Sequence, residues 1–472
     1  MPKFTITCYS PVTLEERDII YDTDFSTLQW ADTLENVMEE LEPADQPDMG
    51  QMKLGLGKNP TTVKIQLGLE CNFACEYCSQ RFVPKSDSHN KDDIMPFVEG
   101  MRDWFKGGDD GEGEGAKFEF WGGEPLVYWK TLKPLAEELK KRYPNAQLSM
   151  ITNGSLLDEE KVHWLDEMGF GMSISHDGPG QHVRGPDPLQ DPASKKGILD
   201  VYKLLAPKGK ISFNAMINKN NISRNDIQVF FENFITEELG EEYVDYLTIG
   251  EGTFIDAYDD GGLANSLENA NQDVLYRWFA LKELRDFQPK RFTTVRSKVS
   301  DWIRSIKYGM KSENMGQKCG MDKIDNIAVD LDGNVLTCQN VSSVSISPAG
   351  VSHKIGHVSD LDAVKIDTGF HWSDREECPS CPVLHICKGS CLFLSGPLWE
   401  ASCNNAFSDN LVMLCMGIEM LTGMIPKYIE GPQREDRKDI FWHLHGEPEA
   451  NKKRFPSYFP KADSKVIPIK AI

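Results

Sequence analysis

The chain has 472 residues, 40% of them hydrophobic and 26% charged, which is enough for two or three separate cores. Its net charge of −22 is the wrong sign for gripping a phosphate backbone, so nucleic acid is excluded as the expected partner. The amino terminus lacks a basic start followed by an apolar core, and the most apolar stretch, Leu411 to Ile425, is too short for a bilayer and broken by Gly417, Glu419 and Gly423. A cytoplasmic protein with no membrane partner is expected, and its twelve cysteines then point to metal ligands or catalytic groups rather than disulfides.

Residues 1–60 carry no strong repeat or motif; Thr33–Leu41 reads as a short helix, and the segment is too short and irregular for a full winged-helix module. From Val63 a strand-then-helix rhythm begins. Val63–Leu69 reads as a buried strand and Lys91–Phe105 as the helix after it. The strands KFEFW, LSMIT, FGMSIS, KISFNAMI and YVDYLTI follow, separated by helices over Trp129–Arg142, Asp158–Met168, Lys195–Leu205 and Asn225–Phe234. Such alternation predicts an α/β fold with parallel strands and helical crossovers, and six units fit a partial (β/α)6 TIM barrel. The acidic Asp109–Gly115 reads as a solvated loop within it. Leu263–Ser312 reads as helical. After Cys319 regular structure is expected to thin out until a helix near Ala406–Leu421, and the tail after Ile429 to be an irregular wrap. The expected domains are an N-terminal extension (1–60), a barrel (61–260), a helical bridge (261–314), a small cysteine-rich domain (315–430) and a tail (431–472).

At the carboxyl end of the first barrel strand stand Cys71, Cys75 and Cys78 on one loop. Three thiolates can hold three irons of a [4Fe–4S] cube and leave the fourth iron open. A zinc knuckle is the plain alternative, but structural zinc wants four closed ligands and this loop offers three. The spacing C-x3-C-x2-C, with Tyr77 before the last cysteine, resembles the signature of the radical S-adenosylmethionine (SAM) superfamily. The resemblance implies that the open iron chelates SAM and that Tyr77 lies near its adenine.

Further residues resemble the same superfamily in order. Gly122, Gly123, Glu124 and Pro125 match its GGEP motif, which implies a contact to the SAM amino group through Glu124. Ser175 and Asp177, in Ser-His-Asp-Gly, match S-x-D-G, whose serine contacts the ribose, and Arg184 stands where relatives carry an arginine for the SAM carboxylate. The local text HVRG departs from the commoner H-D-x-x-R. Asn153 is a candidate for the ligand face, against the plainer reading of an Asn-Gly turn. No residue beyond these cluster and SAM ligands is assigned a catalytic role.

Seven cysteines in the carboxyl third, Cys319, Cys338, Cys378, Cys381, Cys387, Cys391 and Cys403, resemble the SPASM extension of peptide-modifying radical SAM enzymes. A pair of zinc sites is the alternative, although seven ligands cannot close two four-cysteine sites. The resemblance implies an outer auxiliary cluster on Cys378, Cys381, Cys387 and Cys403 and an inner one on Cys319, Cys338 and Cys391, hence three [4Fe–4S] clusters. Asp330–Cys338 reads as a hairpin presenting Cys338. The inner set is either open at one iron or closed by Cys8, Cys415 or a non-cysteine group.

What the resemblance implies is cleavage of SAM to a 5′-deoxyadenosyl radical that abstracts a substrate hydrogen. Maturation of a ribosomally synthesised peptide by a thioether or carbon–carbon crosslink is the leading expectation, with a flavodoxin or ferredoxin-type electron donor. Formylglycine-generating oxidation of Cys or Ser, as in anaerobic sulfatase maturases, is the alternative. An iron–sulfur electron relay or scaffold is the reading from another class.

Overall fold

A computed structural model describes residues 2–10, 12–13, 15–42, 60–86, 90–101, 104, 116–267, 270–287, 291–347, 350–365, 369–434 and 437. The strands are β1 (Lys3–Tyr9), β2 (Glu16–Asp22), β3 (Thr27–Trp30), β4 (Thr62–Gln66), β5 (Lys117–Trp121), β6 (Gln147–Thr152), β7 (Gly171–Ser175), β8 (Ile211–Asn214), β9 (Ile249–Gly250), β10 (Asn326–Asp330), β11 (Asn334–Leu336), β12 (Lys354–His357) and β13 (Ile425–Glu430). The helices are α1 (Ile94–Gly100), α2 (Trp129–Arg142), α3 (Glu159–Glu167), α4 (Pro192–Leu205), α5 (Arg224–Leu239), α6 (Asp260–Ala264), α7 (Ala270–Phe287), α8 (Thr293–Lys307), α9 (Leu384–Cys387) and α10 (Gly396–Thr422).

The partial barrel is present. Strands β4 to β9 pair in chain order, all parallel, with helices as crossovers. In β5, Phe118 and Phe120 are fully buried on the helix side while Lys117, Glu119 and Trp121 take the other face. Burying each such phenylalanine contributes roughly 1.5–3 kcal/mol. Helix α2 answers with Leu132, Leu135, Ala136 and Leu139, all at 0% exposure and spaced to form one apolar stripe. The sheet does not stop at β4: β10 pairs with it in parallel, and β11 and β12 continue antiparallel, giving nine strands in the order β12-β11-β10-β4-β5-β6-β7-β8-β9. The β10–β11 hairpin presents Cys338, as expected.

Four expectations are corrected. Thr33–Leu41 is not a helix: Asn36 bridges Gln29, and Val37 N donates to Leu28 O at 2.8 Å, so the segment folds back on β3. Residues 1–60 are more regular than expected, since β1, β2 and β3 form an antiparallel meander with Phe4, Ile6 and Cys8 buried. Strand β13, ending at Glu430, closes that sheet beside β1, and residues 431–434 after it are irregular. YVDYLTI is mostly a 3-10 turn over Glu241–Tyr246, and the strand shrinks to Ile249–Gly250. The last helix starts ten residues before Ala406, so Cys403 rides on it. Asp109–Gly115 and most of the tail lie outside the described residues.

Helix α10 is the axis of the carboxyl third and packs on α7 and α8. A Cβ at Gly417 would stand 2.6 Å from the Trp302 ring, so the residue that interrupts the apolar run is the one that lets α8 approach. No helix among the described residues is long and apolar enough to cross a membrane.

Candidate active site

The cysteine loop leaves the carboxyl end of β4, where residues of parallel α/β sheets gather for function. It is zipped to the loop after β5. Gly123 N donates to Gly68 O at 3.0 Å, Glu124 N to Glu70 O at 2.9 Å, and Glu70 N to Tyr128 Oη at 2.6 Å. A Cβ at Gly123 would lie 2.4 Å from Glu70 O. The close approach that this glycine permits is therefore to the cysteine loop itself.

Pro125 opens a short 3-10 turn that Glu124 caps. Glu124 is buried; its Oε1 accepts from Leu126 N at 3.0 Å and Thr152 Oγ1 at 2.7 Å, and its Oε2 from Asn153 N at 2.7 Å. Burial raises its pKa, and these bonds oppose the rise. Oε2 retains acceptor capacity toward the cleft. Asn153 is also more than a turn former: its Nδ2 donates to Asn72 Oδ1 at 2.9 Å, and Asn72 Nδ2 donates to Ser155 Oγ at 2.8 Å. The two asparagines tie the cysteine loop to the end of β6.

Tyr77, Asp177 and Arg184 form one buried group. Tyr77 Oη donates to Asp177 Oδ2, Arg184 Nη1 donates to Tyr77 Oη at 2.9 Å, and Met216 N donates to Asp177 Oδ1 at 3.0 Å. Burial pushes the Tyr77 phenol well up. Burial disfavours the Arg184 cation, but Tyr77 and Asp177 beside it more than compensate. Among the described residues Arg184 Nε is buried with no hydrogen-bond partner.

One cleft of about 450 Å³ is lined by Cys71, Cys75, Cys78, Tyr77, Gly122, Gly123, Glu124, Ser175 and Arg184 together. Cys75 is pushed up to about 11 by burial, with Arg184 opposing and the Cys78 and Cys71 thiolates adding. The spare guanidinium donor, the Glu124 carboxylate and three thiols on one apolar-walled cleft fit an amino-acid-like ligand beside a metal cluster. Asp177 and Pro125 support the wall without being among the lining residues, and Asp177 is spent on Tyr77 and Met216.

Cys378, Cys381, Cys387 and Cys403 line one small cavity with Trp399, Phe407 and Arg437, and Arg437 Nη2 donates to Cys403 Sγ at 3.3 Å. Cys338 is pushed up to about 11, by burial first, with Cys319 adding. Cys391 rises to about 12, again by burial first, with Asp256 and then Cys338 adding. Cys338 thus lies within the field of Cys319, and Cys391 within that of Cys338. Among the described residues no three His, Cys, Asp or Glu are gathered as around a single metal ion. A cluster holds its thiolates at separate corners, farther apart than the shell of one ion. Cys8 and Cys415 are both at 0% exposure in the main apolar core, where each is a neighbour of Glu419.

Residues 65–230 match the family model of the Radical SAM superfamily. The chain carries a radical SAM domain. Such domains bind SAM at a [4Fe–4S] cluster, and Cys71, Cys75 and Cys78 lie inside the matched span. The chain is 23% identical over 203 residues to the radical SAM cyclopropyl synthase TigE of Paramaledivibacter caminithermalis, covering 40% of this chain and 42% of that protein. It therefore spans less than half of that relative's length. It is 22% identical over 340 residues to a serine-type anaerobic sulfatase-maturating enzyme of Klebsiella aerogenes, covering 69% of this chain and 78% of that one. Among solved structures, native anSMEcpe with bound AdoMet and Kp18Cys peptide superposes with a TM-score of 0.51 at 18% identity, covering 77% of this chain and 98% of that one. That likeness supports the fold alone.

Among the cleft-wall residues not anticipated are Asp256, Tyr258 and Asn340. The first two lie in the loop after β9, well past the end of the strand expected over YVDYLTI. Asn340 lies two residues past Cys338 and its N–H donates to that sulfur at 3.4 Å.

Proposed function

We propose that the chain is a radical SAM peptide maturase that installs an intramolecular crosslink, thioether or carbon–carbon, in a ribosomally synthesised precursor peptide. One observation carries this reading. The cleft that holds Cys71, Cys75 and Cys78 is also walled by Asp256, Tyr258 and Asn340, which border the inner cysteine set. A substrate seated there touches both the SAM side and the auxiliary side.

When bound, the cluster and SAM supply a carbon radical that removes a substrate hydrogen atom. In this reading Arg184 Nε holds the SAM carboxylate, Glu124 accepts from its ammonium, and Ser175 meets the sugar. Leu69, Phe73, Ile151 and Met216 keep water from the reacting carbon. Cys319, Cys338 and Cys391 would hold an inner [4Fe–4S] cluster, and Cys378, Cys381, Cys387 and Cys403 an outer one, for three in all. With Cys8 and Cys415 in the apolar core, the inner set would supply three cysteine ligands, leaving the fourth position to a substrate thiolate or a non-cysteine group. A flavodoxin or ferredoxin-type protein would supply the electron.

The sulfatase-maturase reading has its own support, because that match extends over 69% of the chain whereas the synthase match covers 40%. One experiment separates the readings: precursor peptide, enzyme, SAM and reductant, followed by mass spectrometry and capture with a hydrazide probe. Loss of two hydrogens with no hydrazide capture supports a crosslink. Capture of an aldehyde supports formylglycine formation, and absence of 5′-deoxyadenosine supports an electron relay; either would overturn the proposal.

A further inference from the structure

An acid–base pair stands between the cleft and both auxiliary cysteine sets. Asp256 faces the cleft from the loop after β9. Its Oδ2 lies 3.6 Å from Lys318 Nζ, and its Oδ1 accepts from Ser390 Oγ. Lys318 immediately precedes Cys319, and Ser390 immediately precedes Cys391. The two segments are joined, since Lys318 N donates to Lys388 O at 2.9 Å, which sets Lys318 beside Cys387 as well.

The loop that brings Asp256 here is held from behind. Ala257 N donates to Ser402 Oγ at 2.6 Å and Asn405 Nδ2 donates to Ile255 O at 3.1 Å, both partners on α10. The backbone is thus fastened to the helix of Cys403 while the Asp256 and Tyr258 side chains face the cleft. The Asp256 side chain is 14% and the Lys318 side chain 33% accessible, so the pair sits in a partly enclosed space where charge is weakly screened. Burial disfavours the Lys318 cation; Asp256 first, then Cys387, Cys391 and Cys319, favour it. The ammonium therefore lies within the field of thiols from both the inner and the outer set.

We propose that Lys318 sets the reduction potentials of both auxiliary clusters, and that Asp256 adjusts that influence from the cleft side. This rests on the reading of the seven cysteines as ligands of two clusters. Reduction adds a negative charge to a cluster, so a nearby fixed cation raises its potential. Asp256 offsets part of that cation. A hydrogen-bond donor or cationic group of a peptide substrate that engages Asp256 leaves Lys318 less neutralised, and the auxiliary clusters become easier to reduce when the cleft is filled. What matters is the sign and place of the charge, not its titration.

The test is an EPR-monitored redox titration of the anaerobically reconstituted full chain without SAM, comparing wild type with Lys318→Met, Lys318→Arg and Asp256→Asn. Lys318→Met is expected to move both auxiliary midpoint potentials negative, Lys318→Arg to leave them near wild type, and Asp256→Asn to move them positive. The cluster on Cys71, Cys75 and Cys78 is expected to stay where it is in all three. Unmoved auxiliary potentials in Lys318→Met and Asp256→Asn, at full iron content, would overturn the inference. If Lys318→Met loses iron, Asp256→Asn decides alone, because it keeps the lysine and the side-chain volume: a positive shift supports the inference and no shift overturns it. About four irons per wild-type chain, instead of about twelve, would overturn the two-cluster reading beneath it.

Discussion

Arg224 Nη2 donates to Asp409 Oδ1 at 2.6 Å, and both side chains are 1% accessible. Tyr276 Oη donates to the same oxygen at 2.5 Å. The pair fastens α5 of the barrel to α10, the helix of Cys403. Burial would raise the Asp409 pKa, yet Arg224 and Lys298 beside it hold the carboxyl below its usual range. Removing one partner leaves a buried charge uncompensated, which costs about 3–5 kcal/mol. Asp409→Leu is expected to lower stability by that order in chemical denaturation of the reconstituted protein. Arg224→Met with Asp409→Leu together should cost less than the two single changes added.

Gly123→Ala tests the zipper between the GGEP segment and the cysteine loop. The new Cβ would meet Glu70 O at 2.4 Å, and that atom is backbone on both sides of the contact. The loop must shift, so the variant is expected to lose iron at the Cys71, Cys75 and Cys78 site while keeping the rest. Iron content that stays at the wild-type level would show that the contact is not needed.

Asn153→Ala removes the bond to Asn72 and leaves the cysteines untouched. Groups that orient metal ligands typically matter by about 10–100-fold in affinity or activity. SAM cleavage is expected to fall within that range, with the auxiliary spectra unchanged. Asn153→Asp, which keeps a hydrogen-bonding oxygen but loses the amide donor, should not restore it.

Much of this was legible because each barrel strand buries alternate apolar side chains under a helix with its own stripe, as in β5 and α2. What escaped has physical reasons. Strands β1 and β2 break the apolar–polar alternation, since Thr7 is buried between Ile6 and Cys8 and Asp22 is buried beside Tyr21. Residues 243–249 look like a strand by composition, but Tyr243 and Val244 pack as part of a 3-10 turn. The cysteine motif exposed the cleft at once, and the grouping of the other seven came from resemblance rather than from spacing. Asp256 and Tyr258 carried no signal, because they lie in the loop well past the strand expected over YVDYLTI and belong to no motif.

His353 gives an acid-range test. Burial lowers its pKa to about 4; the ring shares a hydrogen bond with Thr337 Oγ1 at 2.6 Å and stands edge-on to Phe393 at 4.6 Å. Below the ordinary histidine value the unfolded chain binds a proton that the folded chain does not. Stability should therefore fall as pH drops from about 6.5 to about 4, by at most roughly 3 kcal/mol, and should not depend on this group above that window. His353→Gln should flatten that part of the stability–pH curve; an unchanged slope would show that His353 is not responsible for it.

We propose one SAM-cleaving cluster in the cleft of Cys71, Cys75 and Cys78 and two auxiliary clusters on the seven cysteines beyond it. Iron and sulfide content with Mössbauer spectra of the anaerobically reconstituted chain test this, wild type against the Cys71/Cys75/Cys78→Ala variant. About twelve irons falling to about eight are expected, with 5′-deoxyadenosine formation lost in the variant. About four irons falling to none, with zinc at the remaining cysteines, would contradict it.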